Sequence, residues 1–420
     1  MSRRRDAIVV WLAIAAVGTA AMTFAVASLQ QDLAAYWIAG KTRWLGLDPY
    51  LSYGGSAVAP RLWDGVAPYR HSRFLYPPLA AELFRLLAIV PYRFAKVAFT
   101  GAAVAAWLVT ARLVARRPGG RPQDASVVVL AGALWVPLFI HLERGQIDLL
   151  LLPLVFWAWT RRQRAAAGAG AALALAATFK PALLGVLPVI VALGRWRWAA
   201  TTLAFCGVAV VAGVVLSGPA LTREYATVVL PRAALYGEGG NEEMLNNRPL
   251  PITDEDGETT ELEGISYKIA LRPFDGPASA SLPRLFAPTA PHWATSVLPY
   301  LFVIAGLAWA ARRIPRPGLA NPDDPISDDA ELLLFTAAIL ACVVTSPTGW
   351  VMSFVWALPI APLIWTAAAR ARVPRRLAGL LGAAWVACAL SPLLGGWAAG
   401  AGTALVVAAG VASAARTESR

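Results

Sequence analysis

The chain has 420 residues, is 58% hydrophobic and only 15% charged, and carries a formal net charge of +12. Soluble globular proteins carry about 25% charged residues, so this composition excludes an ordinary soluble domain and points to an integral membrane protein. Most basic residues are Arg in short clusters between apolar runs, the pattern of cytoplasmic loops and not of a nucleic-acid surface.

Arg3, Arg4 and Arg5 precede an apolar run over residues 8–28, which places the N-terminus in the cytoplasm. Ala25-Val26-Ala27 has the small residues of a signal-cleavage site, but the run exceeds the ~7–15 residues of a removed signal, so a retained span is expected. Residues 29–92 then form a first extracytoplasmic loop with Asp32, Gly46-Leu47-Asp48-Pro49-Tyr50 and Tyr76-Pro77-Pro78-Leu79. The stretch 79–90 is apolar but broken by Glu82 and Arg85. It rises roughly 18 Å, short of the ~30 Å of hydrocarbon, so an amphipathic juxtamembrane helix is expected there.

Further spans are expected at 93–114, 125–141, 147–160, 166–179, 182–194 and 199–217, with Arg clusters at 116–121, 161–164 and 195–197 inside. The hairpin from His141 to Gln146 and the pair Lys180-Pro181 then lie outside, as does a large polar segment, 219–292, with Asn246 and Asn247. The acidic run from Asp254 to Glu263 lacks the glycine turn and ligand spacing of a calcium loop and reads as a solvated stretch. A span at 293–311, a cytoplasmic linker at 313–330, and spans at 331–345 and 351–369 around Ser346-Pro347-Thr348-Gly349-Trp350 follow. Two last spans return the C-terminus inside. The expected fold is an all-α membrane bundle, one domain over 1–420, with about twelve spans in a range of about ten to thirteen. The small-residue runs 165–177 and 398–415 read as close packing faces. Cys206, Cys342 and Cys388 sit in apolar runs without metal-ligand spacing.

The polar residues without an anchoring role gather on one side. Asp32 is a candidate general base, because a carboxylate at a membrane–water boundary is otherwise avoided. Arg144 and Lys180 can hold a phosphate at headgroup depth, with His141 beside them. Gln146, Asn246 and Asn247 can hydrogen-bond sugar hydroxyls, and Tyr36, Trp37, Trp44 and Tyr50 offer flat faces. Each has a bland counterpart: an interfacial cap for Asp32, a snorkelling Lys180, Arg144 paired with Glu143 or Asp148, a plain helix start at Asp148, and belt aromatics.

Asp32 before Gly46-Leu47-Asp48-Pro49-Tyr50, Leu75-Tyr76-Pro77-Pro78-Leu79, Gly145-Gln146, Phe179-Lys180-Pro181 and Ser346-Pro347 before Trp350 together resemble glycosyltransferase family 87, of the GT-C fold. The resemblance implies Asp32 as catalytic base and inversion from a β-linked phosphosugar to an α-glycoside. It implies a polyprenyl-monophosphate donor, for whose phosphate Lys180, Arg144 and His141 are the candidate ligands. Gln146, Tyr76, Tyr50, Asp48, Asn246, Asn247 and Trp350 are the candidate residues at the sugar or acceptor. No cofactor or essential metal is expected. The partners are the lipid-linked sugar, a glycolipid or glycan acceptor and membrane lipid, with no nucleic acid, for a monomer in the plasma membrane. The family pattern Ser-Pro-x-x-Trp-x-His-His departs here to Trp350-Val351-Met352-Ser353, so whatever those histidines do is either absent here or supplied elsewhere, with His141 and Arg144 the candidates. Competing readings are an arabinofuranosyltransferase of the same fold, a transporter, a polymerase, ligase or flippase of envelope glycans, and a non-catalytic assembly partner. A transporter is disfavoured by unequal halves and by polar groups at one surface instead of the midplane.

Overall fold

The computed structural model describes residues 2–51, 59–62, 74–234, 252–253, 259–260, 291, 293–314, 325–346, 349–364, 375–394, 402–404 and 406. Asn246, Asn247, most of the acidic run and the small-residue run at 398–415 lie outside the described residues, save short pieces. Apart from one two-residue ladder, Ile252–Thr253 against Thr259–Thr260, the described regular structure is helical.

Among the described residues, four helices are long and apolar enough to cross a membrane: Asp6–Ala27, Tyr92–Ala115, Trp196–Ser217 and Trp293–Ala311. A fifth arises if Pro122–Ala133 and Val136–Arg144, bent by 69°, act as one broken span. Proline at the start of the second piece removes a donor and favours that break. Leu203, Val208, Val211 and Val215 of Trp196–Ser217 point outward, a face suited to hydrocarbon and not to water.

Twelve full-length crossings are therefore not present among the described residues. The helices Asp148–Arg161 and Ala166–Phe179 have 14 residues each, a rise of about 21 Å. Their positions fit the expected spans, and most of their residues are buried against neighbouring helices. Ala166–Phe179 runs close to Trp196–Ser217: a Cβ on Gly170 would stand 2.3 Å from Thr201 Oγ1. The expected packing face at 165–177 is thus occupied by a neighbouring helix.

Residues 31–44, expected within a loop, form the helix Gln31–Trp44 directly after the first span. The turn between them is made at Gln30, whose φ of 51° is left-handed, uncommon for a residue with a Cβ. Its side chain holds the turn by donating to Thr100 Oγ1 at 2.8 Å and to the Leu142 carbonyl at 2.9 Å. The Tyr92 hydroxyl also faces the carbonyls of Leu29 and Gln30. The short helix Pro78–Phe84 crosses Gln31–Trp44 at Gly40, where a Cβ would lie 2.2 Å from the Phe84 carbonyl oxygen. The short helix and the 3-10 turn Leu87–Ile89 occupy the expected 79–90 stretch.

Helix ends sort into two layers. Ser28 donates to the Glu143 carbonyl, Ser217 to Glu82 and Ser296 to the Thr345 carbonyl at one end. At the other, Arg162 and Arg195 meet Glu331 at 2.6 and 2.8 Å, and Arg117 meets Asp124 at 2.6 Å and Asp329 at 3.3 Å. Asp329 and Glu331 belong to the helix Pro325–Thr345, which begins inside the stretch expected to be a linker over 313–330. Asp329, an acidic residue that reads as linker, is in this respect an anchor of a helix end.

Candidate functional site

Asp32 lies in the first turn of Gln31–Trp44, where a carboxylate suits the positive end of the helix dipole. It is buried, 4% exposed, and faces the end of Val136–Arg144. Arg144 grips it through both carboxylate oxygens: Nε donates to Oδ2 at 2.7 Å and Nη2 to Oδ1 at 3.0 Å. Gln146 Nε2 donates to Oδ2 at 2.8 Å. A forked guanidinium and a carboxylate form the strongest kind of neutralised buried pair. The forked partner of Arg144 is therefore Asp32, a residue distant in the chain.

Gly145 makes this possible. Its φ of 68° ends the Val136–Arg144 helix, and a Cβ there would stand 2.6 Å from Leu33 Cβ. The chain then turns so that Arg144 and Gln146 both reach Asp32 before the helix Asp148–Arg161 starts.

The hydrogen bonds order a line of groups. A carboxylate only accepts, so Gln146 presents its nitrogen to Asp32 and its Oε1 to Tyr36, whose hydroxyl donates at 3.0 Å. A phenol has one proton, so Tyr76 donates across the 2.8 Å contact to Tyr36. The line runs from half-buried Tyr76 through Tyr36 and Gln146 to Asp32. Burial, then Tyr76 and Asp32, push the Tyr36 phenol well above its ordinary value. Burial raises Tyr76 too, with Lys180 pulling the other way. Both phenols are neutral donors at physiological pH.

Lys180 caps the helix Ala166–Phe179 beside this line, its Nζ 3.3 Å from Asp148 Oδ1. Asp148 is fully buried and its Oδ2 accepts from Ser353 Oγ at 2.9 Å. Ser353 follows half-buried Trp350 in the 3-10 helix Val351–Ile360. It stands where the resembled pattern has its second histidine; buried Met352 takes the first. His141 is buried, and its Nε2 accepts the Leu149 N–H at 3.2 Å. That lone pair is committed to the start of Asp148–Arg161, which leaves the ring proton on Nδ1, a buried atom with no hydrogen-bond partner among the described residues.

The remaining expected residues shape the backbone. Asp48 Oδ1 accepts the Tyr50 N–H at 2.8 Å, an Asx turn, and the Tyr50 hydroxyl donates to the Tyr76 carbonyl at 2.7 Å. Burial, then Tyr225, raises the Tyr50 phenol. Three of the four expected flat faces turn inward: Tyr36 stacks on Phe84, Tyr50 on Tyr225, and Trp37 donates to the Val90 carbonyl. The packing of Gln31–Trp44 under Pro78–Phe84 removes them from the surface. Trp44 stays exposed, with Arg85 over its ring. Asp148 and Ser353 were not expected in the site; the one available signal was an Asp opening an apolar run.

Such an array supplies a carboxylate that can take a proton, a forked cation beside it, and a second, more exposed cation. No curated protein and no solved structure matches the chain. The family model for glycosyltransferase family 87 matches residues 74–248, a segment that holds Tyr76, His141, Arg144, Gln146, Asp148 and Lys180. Over that segment the chain is similar to family 87, which supports a glycosyltransferase.

Proposed function

We propose that the protein is an inverting glycosyltransferase. It moves a sugar, mannose first among the candidates, from a polyprenyl-phosphate donor to a glycolipid or polysaccharide of the cell envelope. The observation that carries this reading is the convergence of Asp32, Arg144, Gln146 and the Asp148–Lys180 pair at one end of an apolar bundle, joined to the match over 74–248. Charge is expensive in such a bundle, and a buried carboxylate flanked by cations is a functional arrangement by default. The distribution of Arg clusters supports an outer location for this end in the plasma membrane and cytoplasmic termini.

In the step proposed, Asp32 takes the proton of an acceptor hydroxyl. The oxygen forms its bond to the anomeric carbon as the bond from that carbon to the phosphate oxygen breaks. Polyprenyl phosphate leaves with the bond's electrons, and Arg144 and Lys180 stabilise the charge that gathers on it. At rest, three N–H groups occupy the Asp32 oxygens. A donor phosphate competes for Arg144, and drawing the guanidinium off frees a carboxylate lone pair for the proton. The segment 219–292 is proposed to select the acceptor, because loops on a rigid scaffold carry specificity. No metal ion takes part.

A donor screen tests the reading. Membranes that over-express the chain receive radiolabelled polyprenyl-phosphate-linked mannose, arabinose or glucose, with and without chelator. Label passing from mannose donor to lipid or glycan, insensitive to chelator, is the expected result. Transfer from arabinose alone reassigns the sugar, and no transfer from any donor contradicts the reading.

A further inference from the structure

The geometry points to Asp148 as the positioning residue that holds Lys180 where it meets the donor's phosphate. This deepens the function proposed above and rests on it. Of the two cations at the site, Lys180 is the accessible one: its side chain is 23% exposed, against 5% for Arg144. Arg144 is already forked onto Asp32. A lysine ammonium is a point charge on a flexible stem, and a useful location must come from its surroundings. Asp148 supplies it. Its carboxylate is fully buried, with Oδ1 3.3 Å from Lys180 Nζ and Oδ2 fixed by Ser353 Oγ at 2.9 Å.

Three elements far apart in sequence make this triad. Asp148 opens the helix Asp148–Arg161, Lys180 ends Ala166–Phe179, and Ser353 lies in Val351–Ile360. A helix start alone would not need a carboxylate enclosed this completely, because an exposed Asp serves the dipole equally. The carboxylate also keeps Lys180 charged and directed beside Tyr76, whose own titration responds to the ammonium. Asp148 does not touch the reacting atoms. It acts through the lysine.

The test compares purified wild-type protein with Asp148→Asn, Asp148→Glu, Lys180→Ala and the Lys180→Ala/Asp148→Asn pair. Two quantities are read: equilibrium binding of polyprenyl monophosphate, and donor KM and kcat in transfer. Asp148→Asn is expected to weaken binding and raise donor KM about tenfold, with kcat changed less than about threefold. Asp148→Glu restores part of the loss. In the Lys180→Ala background, Asp148→Asn adds nothing further, the coupling expected of a residue that acts through its partner. Unchanged binding in Asp148→Asn, or a full additive loss in the pair, overturns the proposal. Should Asp148→Asn fail to fold, Ser353→Ala carries the test with an expected loss of about twofold to threefold in binding; unchanged binding there overturns it. Wild-type protein that binds polyprenyl monophosphate through Lys180 and Asp148 yet transfers no sugar sinks the function proposed and leaves the positioning role standing.

Discussion

Asp32 and Arg144 neutralise each other inside an apolar bundle, and this governs what substitution does at either position. Removing one partner takes away the other's buried counter-ion, at a cost of about 3–5 kcal/mol. Asp32→Ala is therefore expected to lower the thermal unfolding midpoint in detergent well below that of Asp32→Asn, which keeps an oxygen for Arg144. Equal midpoints would show that the pair contributes nothing to stability. Arg144→Lys keeps the charge but loses the fork. It is expected to fold and to use donor poorly, seen as a raised donor KM. Both residues were visible in the sequence because charge is rare in it. Their pairing was not: Arg144 sits next to Glu143 and near Asp148, while its true partner comes from a helix far away in the chain. Only the packing of Gln31–Trp44 beside Val136–Arg144 settles the choice. Asp148 was missed for the same reason, since its enclosure depends on residues around 180 and 353.

The helix Gln31–Trp44 is the element on which the site is mounted, and its joints make two predictions. At Gly145 any side chain meets Leu33 and must adopt a left-handed conformation that costs about 1 kcal/mol or more. Gly145→Ala is expected to lower stability and donor use together, because Arg144 and Gln146 turn away from Asp32; an unaltered donor KM would contradict this. The second joint is Glu82 of Pro78–Phe84, which accepts from Arg43 at 2.7 Å, from Arg85 at 3.0 Å and from Ser217 at 3.0 Å. Burial pushes its carboxyl up, but these bonds outweigh burial and hold it below the ordinary 4.5. Its contribution to stability is thus fully present above pH 4.5 and is lost as pH falls through the lower folded value. Acid titration of tryptophan emission, with Trp44 packed on Arg85, should show loosening below pH 4.5 that Glu82→Gln abolishes. The sequence pointed to a short juxtamembrane helix near residues 79–90. It did not disclose the helix over 31–44, which is too short to span and is interrupted by Gly40, a residue that reads as a break and serves as a crossing point.

At the scale of the whole molecule, two polar clusters among the described residues stand at opposite ends of the bundle. One joins Asp32, Arg144, Gln146, Asp148 and Lys180; the other joins Arg162, Arg195 and Glu331, with Arg117, Asp124 and Asp329 beside it. The second cluster ties helix ends together and is expected to act on stability alone. Glu331→Ala leaves two guanidinium groups unpartnered by it and should cost about 3–5 kcal/mol without moving donor KM in the protein that folds. Hydropathy alone located the apolar segments well. It did not distinguish a long helix with an outward apolar face, such as Trp196–Ser217, from a helix of 14 residues with much of its surface buried, such as Ala166–Phe179. The convergence of the first cluster is the claim on which the function rests. Its most direct test is sugar transfer from synthetic polyprenyl-phosphate-mannose by purified wild-type protein and by Asp32→Asn, the two matched for unfolding midpoint. The account predicts transfer by the wild type and a loss of about 100-fold or more in the variant; transfer by Asp32→Asn near the wild-type rate would contradict it.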